Sequence, residues 1–131
     1  MRCLIDINIF LEVLLNQENS SQARPLLQKS DIPELFMSDF SLHSIVLILL
    51  RRKASELEML FLADTAQSGS VDILRIMPGD LTQVIAVARR YALDFDDAYQ
   101  YVLAVEHELT LVSFDSDFDR TPHGRQLPSA I

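Results

Sequence analysis

Two rhythms of apolar and polar positions alternate along the chain, and each marks a different kind of element. Residues 2–6 form a compact apolar stretch with the character of a buried strand. Residues 8–16 follow with Ile9, Phe10, Val13 and Leu14 at helical spacing. Ser20 or Ser21 can cap a second, short helix running to Lys29, with Pro25 close enough to its first turn to be tolerated, and Asp31-Ile32-Pro33 ends it. Residues 34–37 are a second candidate strand, after which Ser38 or Asp39 caps a long helix to about Lys53. Another helix spans about 55–67 and closes at Ser68-Gly69. Residues 71–76 alternate as a third strand, Pro78-Gly79-Asp80 turns the chain, and 81–91 is amphipathic. Asp96 or Asp97 opens a last long helix to about Leu109. Residues 110–114 make a fourth strand, and a turn or short helix follows Asp117.

Strands that alternate with helices predict an α/β fold of three layers, with a central, mainly parallel sheet of four or five strands covered on both faces. A chain of 131 residues has the size of a single domain, and no repeat or linker divides it. In such sheets ligands bind outside the carboxyl ends of the strands, so the residues where each strand stops carry the chemical interest.

Composition narrows the class. Hydrophobic residues make up 49% of the chain and charged residues 23%, a globular balance. The one cysteine, Cys3, rules out an intrachain disulfide and a zinc site of several thiolates, and suits a reducing interior. Asp6 interrupts the opening apolar run before a signal peptide could form, and the longest apolar run, 45–50, is far short of a membrane span. A soluble cytoplasmic protein without membrane contact is expected. The net charge of −8 opposes broad electrostatic capture of nucleic acid, unless the carboxylates converge on divalent cations that present positive charge to a phosphate.

Three acids stand at strand ends. Asp6 closes the first strand, Asp115 lies just past the fourth, and Asp97 begins the helix leading into the fourth, with Asp117 two residues beyond Asp115. Facing one another across the sheet edge, they would offer the oxygen ligands that hard cations prefer, and a cation so held can activate water and stabilise charge on a phosphate. Each also has an ordinary explanation. Asp97 and Asp6 could each be a helix cap, as could Asn8, and only the shared position of the acids favours a site.

The segments Leu4-Ile5-Asp6-Ile7-Asn8-Ile9-Phe10, Asp96-Asp97-Ala98 and Leu111-Val112-Ser113-Phe114-Asp115-Ser116-Asp117-Phe118 resemble, in order, the opening and closing blocks of PIN domains. The resemblance implies a PIN-like fold over residues 1–131 and a ribonuclease of the VapC toxin type, which cuts RNA with one or two Mg²⁺ or Mn²⁺ ions. Carried onto this chain, it makes Asp6, Asp97 and Asp115 metal ligands and catalytic acids, Asp117 an accessory acid and ligand, and Asn8 the holder of the Asp6 loop or of a metal-bound water. It further implies an antitoxin protein as partner and a homodimer.

One position departs from the pattern. The family's second acid is usually a glutamate, and Ser44 stands where it aligns. Asp39 and His43, four apart on one helical face, could together replace it, though each also reads as an ordinary cap or structural hydrogen bond. Loss of that acid keeps open a catalytically impaired PIN-fold module that binds RNA or protein. A phosphatase-like α/β module is a weaker rival, because Asp6-Ile7-Asn8 lacks the second aspartate such enzymes use. Arg51, Arg52 and Arg120 are candidates for touching RNA phosphates, with a solvated helix end as the alternative for the first two. Residues 45–50 and 59–63 are apolar all round, which predicts either full burial or a dimer or partner face.

Overall fold

The computed structural model describes residues 1–28 and 33–131. Four parallel strands, β1 (Arg2–Ile5), β2 (Glu34–Ser38), β3 (Val71–Leu74) and β4 (Thr110–Val112), form one sheet in the order β3-β2-β1-β4. The pairing sets Leu4 beside Phe36 and Leu111, and Cys3 beside Leu35 and Thr110. Successive strand side chains point to opposite faces. Leu4, Phe36 and Leu111 accordingly join one core, while Cys3, Ile5, Leu35, Met37 and Val112 join the other.

Helices cover both cores. On one face lie α1 (Ile7–Leu14), α2 (Ser20–Gln28), α3 (Asp39–Arg51) and α4 (Ser55–Leu62), the last continued by a wider turn over Ala63–Gln67. On the other lie α5 (Leu81–Tyr91) and α6 (Phe95–Glu106), packed against each other. The three layers and the parallel sheet match the sequence expectation, with four strands among the described residues. No fifth strand forms there, although a parallel bridge between Val112 and Gln126 extends the pairing beyond β4. The third and fourth strands are shorter than expected, ending at Leu74 and Val112.

Of the caps that the sequence allows, Asp6 takes α1 and Ser38 takes α3, accepting from the Ser41 N–H at 2.9 Å, while one helix start and one proline differ from the sequence expectation. The helix carrying Asp97 begins at Phe95, so Asp97 sits inside its first turn and caps nothing. Pro25 lies well inside α2, past the first turn. The expected end of α2 at Lys29 and the stop at Asp31-Ile32 fall outside the described residues. Among the described residues, no helix is long and apolar enough to cross a membrane.

Candidate metal centre

Asp6 leaves β1 at the carboxyl edge and is 3% exposed, so nearly every contact its carboxylate makes is with protein. Oδ1 accepts from the Ile7 N–H at 2.8 Å and from Gln100 Nε2 at 3.2 Å. Oδ2 accepts from the Ser113 hydroxyl at 2.7 Å and, more loosely, from Asn8 Nδ2 at 3.4 Å. Burial raises its pKa, the hydrogen bonds pull it back down, and the charge of Asp115 raises it again.

Ser113 joins β1 to β4. Its hydroxyl donates to Asp6, and accepts from Asn8 Nδ2 at 3.1 Å and from the Asp115 N–H at 2.9 Å. Asn8 in turn accepts from the Phe114 N–H at 3.2 Å, which ties the first turn of α1 to the exit of β4. Arg125 steadies the same exit, donating to the Ser113 carbonyl at 3.2 Å and gripping Asp119 with two nitrogens. Asp115 then caps the short helix after β4 through the Asp117 N–H.

Asp97, Asp115 and Asp117 bring carboxylate oxygens within 4.8 Å of one another. Asp97 is buried and its pKa is pushed up to about 8, first by desolvation, then by the charges of Asp96, Asp115 and Asp6. It keeps a proton that an exposed aspartate would lose, and a side-chain hydrogen bond links it to Asp115. Asp94 and Asp96, both exposed, lie equally close to Asp97 on its outer side. The set contains only oxygen donors and is crowded with like charge, which fits Mg²⁺ or Mn²⁺ and not a soft metal.

The accessory candidates fare differently. Asp39 is spent on structure: it accepts from the Tyr99 hydroxyl at 2.8 Å, and that hydroxyl accepts from the Ile76 N–H at 2.9 Å. His43 is exposed on α3, Ser44 is half-buried beside it, and among the described residues neither Asp39 nor His43 joins an acidic cluster. The Asp39 carboxylate that could stand in for the missing acid is thus hydrogen-bonded to Tyr99 through Oδ1. Arg51 and Arg52 close α3 at its far end, about 18 Å along the helix from its start at the sheet edge. They stand apart from the acids. Arg120 stands beside them, 3.5 Å from Asp117, while donating to the Ala92 carbonyl at 2.8 Å.

Two residues of the network, Ser113 and Gln100, were not singled out as functional from sequence. For Ser113 the available signal is its place in the segment Leu111 to Phe118, two residues before Asp115. For Gln100 the signal was a lone amide in an otherwise apolar and aromatic stretch of helix, one turn after Asp97.

A family model described as PIN domain matches residues 3–124. No curated protein matches the chain in sequence. Among solved structures, the chain is similar to a toxin-antitoxin complex from Klebsiella pneumoniae, with 22% identity, a TM-score of 0.73 and coverage of 96% of this chain and 97% of that one. It is also similar to VapC20 of Mycobacterium tuberculosis, described as a sarcin-ricin loop cleaving toxin, with 17% identity, a TM-score of 0.74 and coverage of 89% and 92%. FitAcB from Neisseria gonorrhoeae matches at 19% identity and a TM-score of 0.71, over 98% and 99%.

Proposed function

The chain belongs to the PIN-domain family, and from that premise we propose that it is a single-domain, metal-dependent endoribonuclease and the toxin half of a toxin-antitoxin pair. The observation that carries this reading is the meeting of Asp97, Asp115 and Asp117 within 4.8 Å at the sheet's carboxyl edge, beside the buried Asp6. These four acids would hold Mg²⁺ or Mn²⁺, which when bound activates a water and takes up charge on the phosphate under attack. Asp97 must give up its proton for a cation to enter. Ser113 and Gln100 fix the Asp6 carboxylate in one orientation at the site. Asn8 keeps the Asp6 loop against β4, and Arg120, 3.5 Å from Asp117, would meet an RNA phosphate once Asp117 is engaged elsewhere. The net reaction is hydrolysis: a water oxygen replaces one ester oxygen at phosphorus.

Partners are supported by surface as well as by likeness. Ile45 and Leu49 of α3 are buried, but Leu50 is 62% exposed, and on α4 Met59 and Leu60 are 62% and 59% exposed. A groove of about 270 Å³ opens next to them, lined by Phe10, Val13, Leu14, Leu57 and Leu60. Apolar area of this kind suits a second copy or an antitoxin segment. One buried cysteine and the lack of a membrane-spanning helix among the described residues agree with work in the cytoplasm.

The test is cleavage of RNA by purified protein with Mg²⁺, with Mn²⁺ and with chelator. Activity is expected with at least one ion, Mn²⁺ favoured, and a loss of roughly 100-fold or more in Asp6→Asn and Asp97→Asn, beyond what losing an outer partner does. The absence of an acid at Ser44 favours one second reading, a catalytically impaired module that binds RNA or protein. No cleavage with either ion, in wild type or in Ser44→Glu, would establish it.

A further inference from the structure

Gln100 lies one helical turn after Asp97 on the same face of α6 and is 3% exposed. Its Nε2 donates to Asp6 Oδ1 at 3.2 Å, whereas Oε1, equally sheltered, has no hydrogen-bond partner among the described residues. Because Nε2 is the amide atom that faces Asp6, Oε1 is the atom left over. A buried acceptor without a donor costs the full desolvation of that oxygen, a cost that leucine or methionine at this position would avoid.

The neighbours of Gln100 on α6 are apolar or aromatic: Ala98, Tyr99, Tyr101, Val102 and Leu103. Gln100 is thus the one amide side chain in the buried run of the helix. It is also the direct bond from the helix bearing Asp97 to the acid at the end of β1. The other groups that fix Asp6 come from α1 and from the exit of β4.

We propose that Gln100 is a positioning residue of the centre, its Nε2 aiming the Asp6 carboxylate and its Oε1 accepting from the hydration shell of the cation held by Asp97 and Asp115. The proposal rests on the metal-site reading above. It gives the site an uncharged oxygen beside its acids, of the kind that hard cations accept. The unpaired Oε1 then finds its donor when the site is loaded.

Calorimetric titration with Mn²⁺ of wild type, Gln100→Leu, Gln100→Met, Gln100→Glu and Asp97→Asn tests it, with melting temperatures of the metal-free proteins alongside. Gln100→Leu, or Gln100→Met if the leucine variant does not fold, is expected to bind Mn²⁺ about tenfold more weakly, the size of one charge-assisted hydrogen bond, at a nearly unchanged metal-free melting temperature. Gln100→Glu keeps an oxygen and adds charge. It is expected to bind Mn²⁺ at least as tightly as wild type, while its metal-free melting temperature drops because a further carboxylate faces Asp6. Equal Mn²⁺ affinity in wild type and the apolar variants, with binding lost in Asp97→Asn, would overturn the role of Gln100 and leave the metal site standing. Parallel loss of affinity and stability in the apolar and Glu variants would reduce Gln100 to a structural residue. Absence of Mn²⁺ binding in wild type, or binding that survives Asp97→Asn, would overturn the metal-site reading and this proposal with it.

Discussion

Where β2 and β3 end, the polar side chains at the sheet edge are answered within the protein: Ser38 caps α3, Asp39 accepts from Tyr99, and the Tyr99 hydroxyl accepts from the Ile76 N–H. Where β1 and β4 end, Asp97, Asp115 and Asp117 face one another, and Asp6 is held rigidly against the same network. The two halves of one edge both begin with aspartates near helix starts. They differ in what the neighbouring helix delivers: a phenol to Asp39, further carboxylates to Asp97. Burial among like charges leaves the second half with a need that a cation would meet, and the first with none.

The largest effect that would sharpen this contrast is on pH dependence. Asp97 has a folded-state pKa of about 8 against an ordinary 3.8, so between those values the folded chain binds the proton more strongly than the unfolded chain does. Metal-free stability should therefore fall as pH rises from about 4 to about 8, by on the order of a few kcal/mol. Asp6, also raised, adds to it with the same sign. Urea unfolding in chelator across that range should show the slope, and Asp97→Asn should flatten it and stabilise the metal-free protein. A wild type whose stability rises through that window would break the comparison.

Next in size is the effect of restoring the absent acid. Ser44→Glu should tighten Mn²⁺ binding by about tenfold, the worth of one further charged interaction, and should raise RNA cleavage with it. Calorimetry that finds no change would mean that α3 does not reach the centre, and that the missing acid leaves no gap there to fill.

The smallest effect belongs to the satisfied half. Asp39→Ala removes the partner of the Tyr99 hydroxyl and should cost about 1–2 kcal/mol in urea unfolding, with Mn²⁺ affinity unchanged. Loss of Mn²⁺ binding in that variant would show that the two halves of the edge act as one site.

The layer order, the parallel sheet and the acids near the strand ends were legible in the chain, because apolar periodicity determines which face of an element is buried, whereas the last residues of β3 and β4 were not. Asp6, Asp97, Asp115 and Asp117 stood out by position, and their part in a metal site came from the resemblance to PIN domains. The sequence could not show that Asp39 is spent on Tyr99, since those residues are 60 apart and meet only when α6 packs over the end of β2. Nor could it show that Gln100 donates to Asp6 across 94 residues, or that Ser113 bonds to it across 107. Local pattern determined the elements and the kind of residue at each end. Which acids stay crowded, which find a donor and which amide oxygen is left over were decided by tertiary packing, because hydrogen bonding and desolvation depend on neighbours that the order of residues does not place.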